Sequence, residues 1–228
     1  MKLSILIPVY DEKDSILEIL KKVEKVNLGD IQKEIILVDD CSTDGSREIL
    51  KKIKNHKVLF HNNNLGKGAA VLTALKHASG NVIIIQDADL EYEPEEYKIL
   101  IKPIIENKTD VVYGSRFIKK GFKPANRIFY LGNMFLSFMT KIFYFRNITD
   151  METCYKMFRK DVLNGIKIHA RGFEFEPEIT AKIIKKGYKI IEIPISYYAR
   201  RIDEGKKLKP IKDGFKALYY LIYYRFFD

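Results

Sequence analysis

The sequence predicts an α/β protein with a mostly parallel central sheet flanked by helices. Three observations carry that expectation. Short β-branched runs alternate with segments of helical periodicity from the first residues onward. One run, Val82-Ile83-Ile84-Ile85, is apolar on both faces, as a strand covered by helices on each side must be. With 46% hydrophobic and 31% charged residues in 228, the chain is long and apolar enough to bury one good core.

The elements follow in order. Leu3 to Val9 reads as the first strand, and Asp14 to Val26 as a helix with Ile16, Leu20 and Val23 at helical spacing. Glu34 to Asp39 is the second strand. Ser42 to Lys54 reads as a helix with polar starter residues and with Ile49, Leu50 and Ile53 on one face. Val58 to Phe60, the helix Gly66 to His77 and the strand Asn81 to Gln86 continue the alternation. Pro94, with Glu95 and Glu96, opens a further helix where proline is tolerated, and Asp110 to Tyr113 supplies another strand. After Gly114 the character changes. Residues 126–146 carry Phe129, Phe135, Phe138, Phe143 and Phe145, with a narrow polar stripe through Arg127, Asn133, Ser137 and Lys141, which predicts a mostly apolar helix or helix pair. Glu176 to Lys186, closed by Gly187, reads as a helix, Tyr188 to Pro194 as a strand, and Ile211 to Phe227 as a tyrosine-rich amphipathic helix. With no repeat, low-complexity tract or linker, residues 1–228 are expected to form one domain, with halves 1–115 and 116–228.

Forty basic against thirty acidic residues leave a net charge of +10, which favours phosphate-bearing or anionic partners. Nucleic acid is not expected, because aspartates cluster at the strand ends and no RNA-binding motif appears. The two cysteines, Cys41 and Cys154, have no metal-ligand or redox spacing, and the polar Tyr10-Asp11-Glu12 arrives too early for a signal peptide. A reducing, cytoplasmic location is expected. Arg127, Lys141 and Arg146 interrupt the most lipophilic stretch before it is long enough to span a bilayer.

The strongest chemical signal is Asp87-Ala88-Asp89, directly after the buried fourth strand. Alternate residues of an extended chain point the same way, and strand ends of a parallel sheet form the ligand crevice. Two carboxylates there suit a hard cation, Mg²⁺ or Mn²⁺, that keeps other positions for water and phosphate oxygens, and Glu91 is a candidate third ligand. Asp39 and Asp40 stand at the end of the second strand in an Asp-Asp-Cys-Ser-Thr-Asp-Gly cluster. Part of that cluster serves helix capping, and a strand-end carboxylate also suits a ribose or base. Pro8, Tyr10 and Glu12 end the first strand on the same side, and Tyr10 offers a ring for stacking. Gly66-Lys67-Gly68 opens a helix whose amides and lysine suit a phosphate, yet it is no Walker loop, because His61 stands where the earlier glycine belongs. No Gly-x-Gly-x-x-Gly follows the first strand, which sets aside dinucleotide oxidoreductases. Arg116, Arg127, Arg200-Arg201 and Lys206-Lys207 supply forks and ammonium groups for a second anion. The four histidines read as structural or surface residues.

In this order, the motifs Pro8-Val9-Tyr10-Asp11-Glu12, Val38-Asp39-Asp40-x-Ser42-x-Asp44-Gly45, Asn64-Leu65-Gly66-Lys67-Gly68, Asp87-Ala88-Asp89, Gly114-Ser115-Arg116 and Glu204-Gly205-Lys206-Lys207 resemble family 2 glycosyltransferases, in particular dolichyl-phosphate mannose and glucose synthases. The resemblance implies a GT-A fold, a nucleotide-sugar donor, a divalent metal and a polyprenyl (dolichyl) phosphate acceptor. It implies that Pro8, Tyr10, Glu12, Asp39, Asp40, Lys67, Asp87, Ala88, Asp89, Arg116 and Lys206 hold the nucleotide sugar. Asp87, Asp89 and Glu91 then serve the metal, where mannose synthases often carry glutamine at the position of Glu91. Arg116, Arg127, Arg200 and Lys206 hold the acceptor phosphate, and catalysis falls to Asp89, Arg116 and Arg200, with Arg200 preferred to Arg201.

The expected reaction inverts the anomeric carbon, with GDP-mannose and UDP-glucose as the leading donors. The acceptor phosphate is already anionic near neutral pH, so no protein base is required. A sugar-hydroxyl acceptor is the alternative, and it requires a base for which Asp150 and Glu152 are the candidates. Many members carry membrane-spanning helices after this region. With the sequence ending at Asp228, the expectation is a peripheral protein on the cytoplasmic face of a membrane, resting on residues 126–146 and 211–227 or held by a membrane-anchoring subunit.

Overall fold

The computed structural model describes residues 1–119, 124, 127–200 and 210–227. Its sheet has seven strands: β1 (Lys2–Val9), β2 (Gln32–Asp39), β3 (Lys57–Phe60), β4 (Val82–Ile85), β5 (Val111–Ser115), β6 (Lys156–Arg159) and β7 (Ile190–Pro194). They lie in the order β3-β2-β1-β4-β6-β5-β7. The sheet is parallel except for β6, which runs antiparallel between β4 and β5, with Val82 opposite Arg159 and Val112 opposite Met157. The expected α/β, mostly parallel arrangement is borne out. All four residues of β4 are fully buried, as are Leu3, Ile5, Leu6 and Ile7 of β1, so the core lies along the middle of the sheet.

Helices α1 (Ile16–Lys25), α2 (Ser46–Lys52), α3 (Lys67–His77), α4 (Tyr97–Ile105), α5 (Arg127–Tyr144), α6 (Phe175–Lys185) and α7 (Pro210–Phe226) cover it. α1 buries Ile16, Ile19, Leu20 and Val23, a stripe at helical spacing that fixes which face meets the strands. α2 starts at Ser46 and not at Ser42, because the intervening polar residues belong to a tight loop. There the Ser42 Oγ accepts from the Asp11 amide at 3.0 Å, Asp11 Oδ1 accepts from the Thr43 amide at 2.7 Å, and Gly45 adopts φ +103°. Pro94 opens a single 3₁₀ turn, Pro94–Glu96, ahead of α4.

Two features differ from expectation. β6 is too short and too charged at its ends to show periodicity, yet it lies inside the sheet, between β4 and β5. Because it is antiparallel, its leading loop lies beside the trailing ends of β4 and β5. In α5 the polar stripe splits. Arg127 and Lys141 are exposed, whereas Asn133, Ser137 and Thr140 are buried, and the apolar side faces outward.

Gly66, just before α3, sits at φ +97°, and a Cβ there would stand 2.4 Å from the Arg171 carbonyl oxygen. The α3 entrance and the 170–172 loop therefore meet backbone to backbone, with the Ala69 amide donating to the Arg171 carbonyl at 2.9 Å. Gly66→Ala is expected to destabilise the fold by about 2 kcal/mol or more, read as a lower thermal midpoint, since both the conformation and the space exclude a methyl group. An unchanged midpoint would contradict this close packing.

Candidate functional site

The crevice lies at the carboxyl ends of the parallel strands, where chain exits from β1, β2, β4 and β5 meet the loop before β6. Asp39 and Asp40 leave β2 fully or nearly fully buried. Asp39 accepts from the Ser42 amide at 3.2 Å and from Arg47 at 3.1 Å. Asp40 accepts from His61 Nδ1 at 2.7 Å and from the amides of Leu65 and Gly66 at 2.9 and 2.7 Å. Both carboxylates thus hold the chain's own loops in position, and His61 is structural, as expected. Pro8 lies within β1 beside Val38, and Tyr10 follows it, half-buried. Asp11 and burial together raise the Tyr10 phenol above its ordinary pKa.

Asp87 and Asp89 stand just past β4. Lys67, the first residue of α3, places Nζ 2.7 Å from Asp87 Oδ1 and 3.5 Å from Glu176 Oε1. Burial opposes the Lys67 charge, but Asp87, Cys154 and Glu176 overcome it and lift its pKa well above the lysine range. Burial alone would raise Asp87, and Lys67 reverses this, leaving the carboxylate below its ordinary value. Asp89 goes the other way: burial, then Asp87 and Glu91, push it up to about 7 against the pull of Arg200.

Arg200 is the cation that spans this acidic centre. It donates to both Glu12 oxygens at 3.0 and 2.9 Å and to Asp89 Oδ2 at 3.0 Å, while its backbone amide donates to Glu91 Oε1 at 2.7 Å. The Tyr197 hydroxyl donates to Glu91 Oε2 at 2.6 Å, so residues 197–200 form a strap across the crevice. Arg116, after β5, forms a fork on Asp150, with Nε and an Nη nitrogen at 2.7 and 2.6 Å, and lies 4.8 Å over the Tyr197 ring. Burial opposes its charge, and Asp150 more than compensates.

Two carboxylates beside each other, one raised to about 7 by burial and mutual repulsion, form a donor set suited to a divalent cation that keeps positions for water and phosphate oxygens. Glu91, the expected third ligand, follows two residues on, and its carboxylate accepts from the Tyr197 hydroxyl and the Arg200 amide. Among the described residues no group of three His, Cys, Asp or Glu side chains is arranged around one metal position.

The structure therefore brings together Glu12, Lys67, Asp87, Ala88, Asp89, Glu91 and Arg200, with Arg116 on the far side of Tyr197. Arg127 lies exposed at the start of α5, and among the described residues no hydrogen bond or ion pair joins it to the crevice. Lys206, Arg201 and the rest of the Glu204-Gly205-Lys206-Lys207 loop fall outside the described residues. Sequence reasoning missed Tyr197, Glu176 and the buried Lys156, whose Nζ donates to Glu176 and, at 3.0 Å, to the Met151 carbonyl. Lys156 and Glu176 show locally only as isolated charges among apolar residues, and Tyr197 has no local signal.

A family model described as "Glycosyl transferase family 2" matches residues 4–166. A dolichol-phosphate mannosyltransferase of Pyrococcus furiosus is 32% identical over 97% of this chain, and the chain spans 64% of that protein's length. Glycosyltransferase AglJ of Haloferax volcanii is 26% identical over 92% of this chain and 67% of its own. Among solved structures, S. aureus TarS 1-349 in complex with UDP-GlcNAc superposes with a TM-score of 0.66 at 23% identity, covering 98% of this chain and 67% of that one. Glucosyl-3-phosphoglycerate synthase from Mycobacterium tuberculosis, crystallised with Mn²⁺, UDP and phosphoglyceric acid, gives 0.73 at 16% identity, covering 98% and 76%. These superpositions bear out the GT-A fold.

Proposed function

Because the chain belongs to glycosyl transferase family 2, we propose that it transfers a hexose from a nucleotide sugar, GDP-mannose or UDP-glucose, to a polyprenyl phosphate of the dolichyl type. The observation that carries this reading is the set Lys67, Asp87, Asp89 and Arg200 at the strand ends, with Arg116 held beside it. In this reading Pro8, Tyr10, Glu12, Asp39 and Asp40 line the nucleotide side, with the Tyr10 ring available to a base. Lys67 and Ala88 stand at the donor diphosphate. When bound, Mg²⁺ or Mn²⁺ at Asp87 and Asp89, with Glu91 as the candidate third ligand, supplies the positive charge that a departing nucleoside diphosphate requires. Arg116, Arg200, Arg127 and Lys206 are assigned to the acceptor phosphate.

An acceptor phosphate is anionic near neutral pH, with its second pKa near ~6, and attacks without a base. Of the two candidate bases for a sugar-hydroxyl acceptor, Asp150 is unsuited to the role, because it is fully buried and its oxygens are taken by Arg116 and Asn133. Positioning and charge neutralisation then do most of the catalysis, and direct displacement inverts the anomeric carbon. The test is turnover of radiolabelled GDP-mannose, UDP-glucose and UDP-N-acetylglucosamine with a short polyprenyl phosphate and Mg²⁺ or Mn²⁺. Metal-dependent label in the organic phase from one donor, with inverted configuration, is expected. No lipid product from any donor would overturn the proposal.

The acceptor's chain points to a membrane surface. α5 is built inside out: Asn133, Ser137 and Thr140 face inward, and Asn133 reaches Asp150 at 2.6 Å. Ile128, Leu131, Phe135, Phe138, Ile142 and Phe145 form an outward stripe at intervals of three and four, with Phe138 58% and Phe145 79% exposed. α7 packs beside it, the Tyr144 hydroxyl donating to the Leu221 carbonyl at 2.7 Å, and adds exposed Phe215, Tyr219 and Phe226. Exposed Lys141, Arg146 and Lys212 flank this surface. No described helix is long and apolar enough to cross a membrane. The face fits a helix pair lying in the headgroup region, one packing layer from Arg116, and the proposed location is the cytoplasmic face of a membrane, with a membrane-anchoring subunit as a further candidate partner. Each exposed phenylalanine that enters the bilayer contributes roughly 1.5–3 kcal/mol. The double substitution Phe135→Ser, Phe138→Ser is therefore expected to weaken binding to anionic liposomes by at least ~10-fold while leaving the melting temperature unchanged. Equal liposome binding by both proteins would remove the assignment.

A further inference from the structure

Two carboxylate oxygens in the crevice remain without a hydrogen bond. Glu152 Oε1 and Glu176 Oε1 are both shut away from solvent, although the second stands 3.5 Å from Lys67. A buried acceptor without a donor carries the full cost of its lost hydration, so such atoms cluster where a ligand completes the bonding.

The sheet order says which part of a ligand arrives there. Crossing the crevice along the strand ends, one meets Asp39 and Asp40 after β2, Tyr10 and Glu12 after β1, and Asp87 and Asp89 after β4. Next comes the loop before β6 that carries Glu152, and then Arg116 after β5. The antiparallel β6 is what inserts that loop between the diphosphate position and the arginine. A nucleotide sugar laid with its nucleoside over β1 and β2 and its diphosphate at Asp87 and Asp89 has only its sugar left to place, and the next position is that of Glu152.

We propose that Glu152, backed by Glu176, accepts hydrogen bonds from the hydroxyl groups of the donor hexose and is a specificity-determining residue for that sugar. This rests on the donor class proposed above and deepens it: the pocket takes an uncharged sugar with free hydroxyls. Its walls are fixed in advance. Lys156 is fully buried, and its ammonium holds the Met151 and Thr153 carbonyls together with Glu176, which clamps the turn bearing Glu152. The Glu152 amide donates to Asn133 Oδ1 at 3.3 Å. Burial, then the Glu176 charge, lift the Glu152 carboxyl to about 7 against Lys156 and Arg116, consistent with a group short of hydrogen-bond donors. A site built to bond a hydroxyl discriminates strongly against ligands that lack it.

The experiment is isothermal titration of the full chain with Mn²⁺ present, using GDP and GDP-mannose and then UDP and UDP-glucose, on the wild type, Glu152→Ala and the near-isosteric Glu152→Gln. The expected result is that Glu152→Ala weakens the nucleotide sugar by roughly tenfold or more, with Glu152→Gln intermediate, while the nucleoside diphosphate binds within about twofold of wild type. That second titration also shows that the variants are folded. An equal loss for nucleotide and nucleotide sugar, or no loss in either, overturns the proposal. So does a fall in turnover with unchanged nucleotide-sugar affinity, which would make Glu152 a base and move the acceptor to a sugar hydroxyl. A wild type that binds neither donor removes the donor reading itself, and the sugar pocket with it.

Discussion

Asp89→Asn is expected to lower metal-dependent hexose transfer by ~10²–10³-fold and, at the same time, to raise the melting temperature of the metal-free chain at pH 8. The two effects have one cause. Asp89 sits buried beside Asp87 and Glu91, and burial first, then those charges, hold its carboxyl at about 7, above the ordinary value near 4. Its folded pKa exceeds its unfolded one, so between these values the folded chain binds more protons and stability falls as pH rises. At pH 4 wild type and variant are expected to differ little. At pH 8 the wild type bears the full repulsion, and the neutral amide relieves an amount of the order of 1–4 kcal/mol, part of it offset by the lost ion pair to Arg200. Added Mn²⁺ is expected to stabilise the wild type at pH 8 and the variant much less. Thermal melts at both pH values, with and without Mn²⁺, measure this. If the variant melts lower than wild type at pH 8 without metal, Asp89 is a structural partner of Arg200 and not a strained ligand position.

Much of this centre was legible because its residues lie where strands end. Asp87 and Asp89 after an all-aliphatic strand, and Asp39 and Asp40 after an earlier one, announce a crevice by position alone, and Arg200 reaches Asp89 at 3.0 Å. What was not legible depends on contacts distant in sequence. Glu91 reads as a metal ligand from its spacing to Asp89, and nothing local shows that Tyr197, 106 positions later, donates to its carboxylate. β6 has four residues, two of them charged, and only the gap between β4 and β5 makes it a strand. The polar stripe of α5 was visible, but its direction was not. Polar residues ordinarily face water, and here Asn133 and Ser137 turn inward because Asp150 and the 149–151 backbone need hydrogen-bond partners.

Asp150→Ala is the substitution expected to cost the most stability, ~3–5 kcal/mol, a large share of what holds a domain of this size together. Asp150 has no exposed surface, and it accepts from the Arg116 amide at 3.0 Å, from Arg116 Nε at 2.7 Å and an Nη nitrogen at 2.6 Å, and from Asn133 Nδ2 at 2.6 Å. Removing the carboxylate leaves a guanidinium buried against Tyr197 and Phe117 with its charge uncompensated, which costs far more than the pair contributes. A double-mutant cycle separates the two terms: in an Arg116→Met background no stranded charge remains, so Asp150→Ala is expected to cost only about 1–2 kcal/mol, read from urea midpoints at constant slope. Both single variants should also lose transfer, since Arg116 is aimed by Asp150 and the acceptor phosphate is assigned to Arg116. The opposite outcome, a chain as stable as wild type that has lost transfer, would make Asp150 a general base, and would favour a sugar hydroxyl over a lipid phosphate as the acceptor.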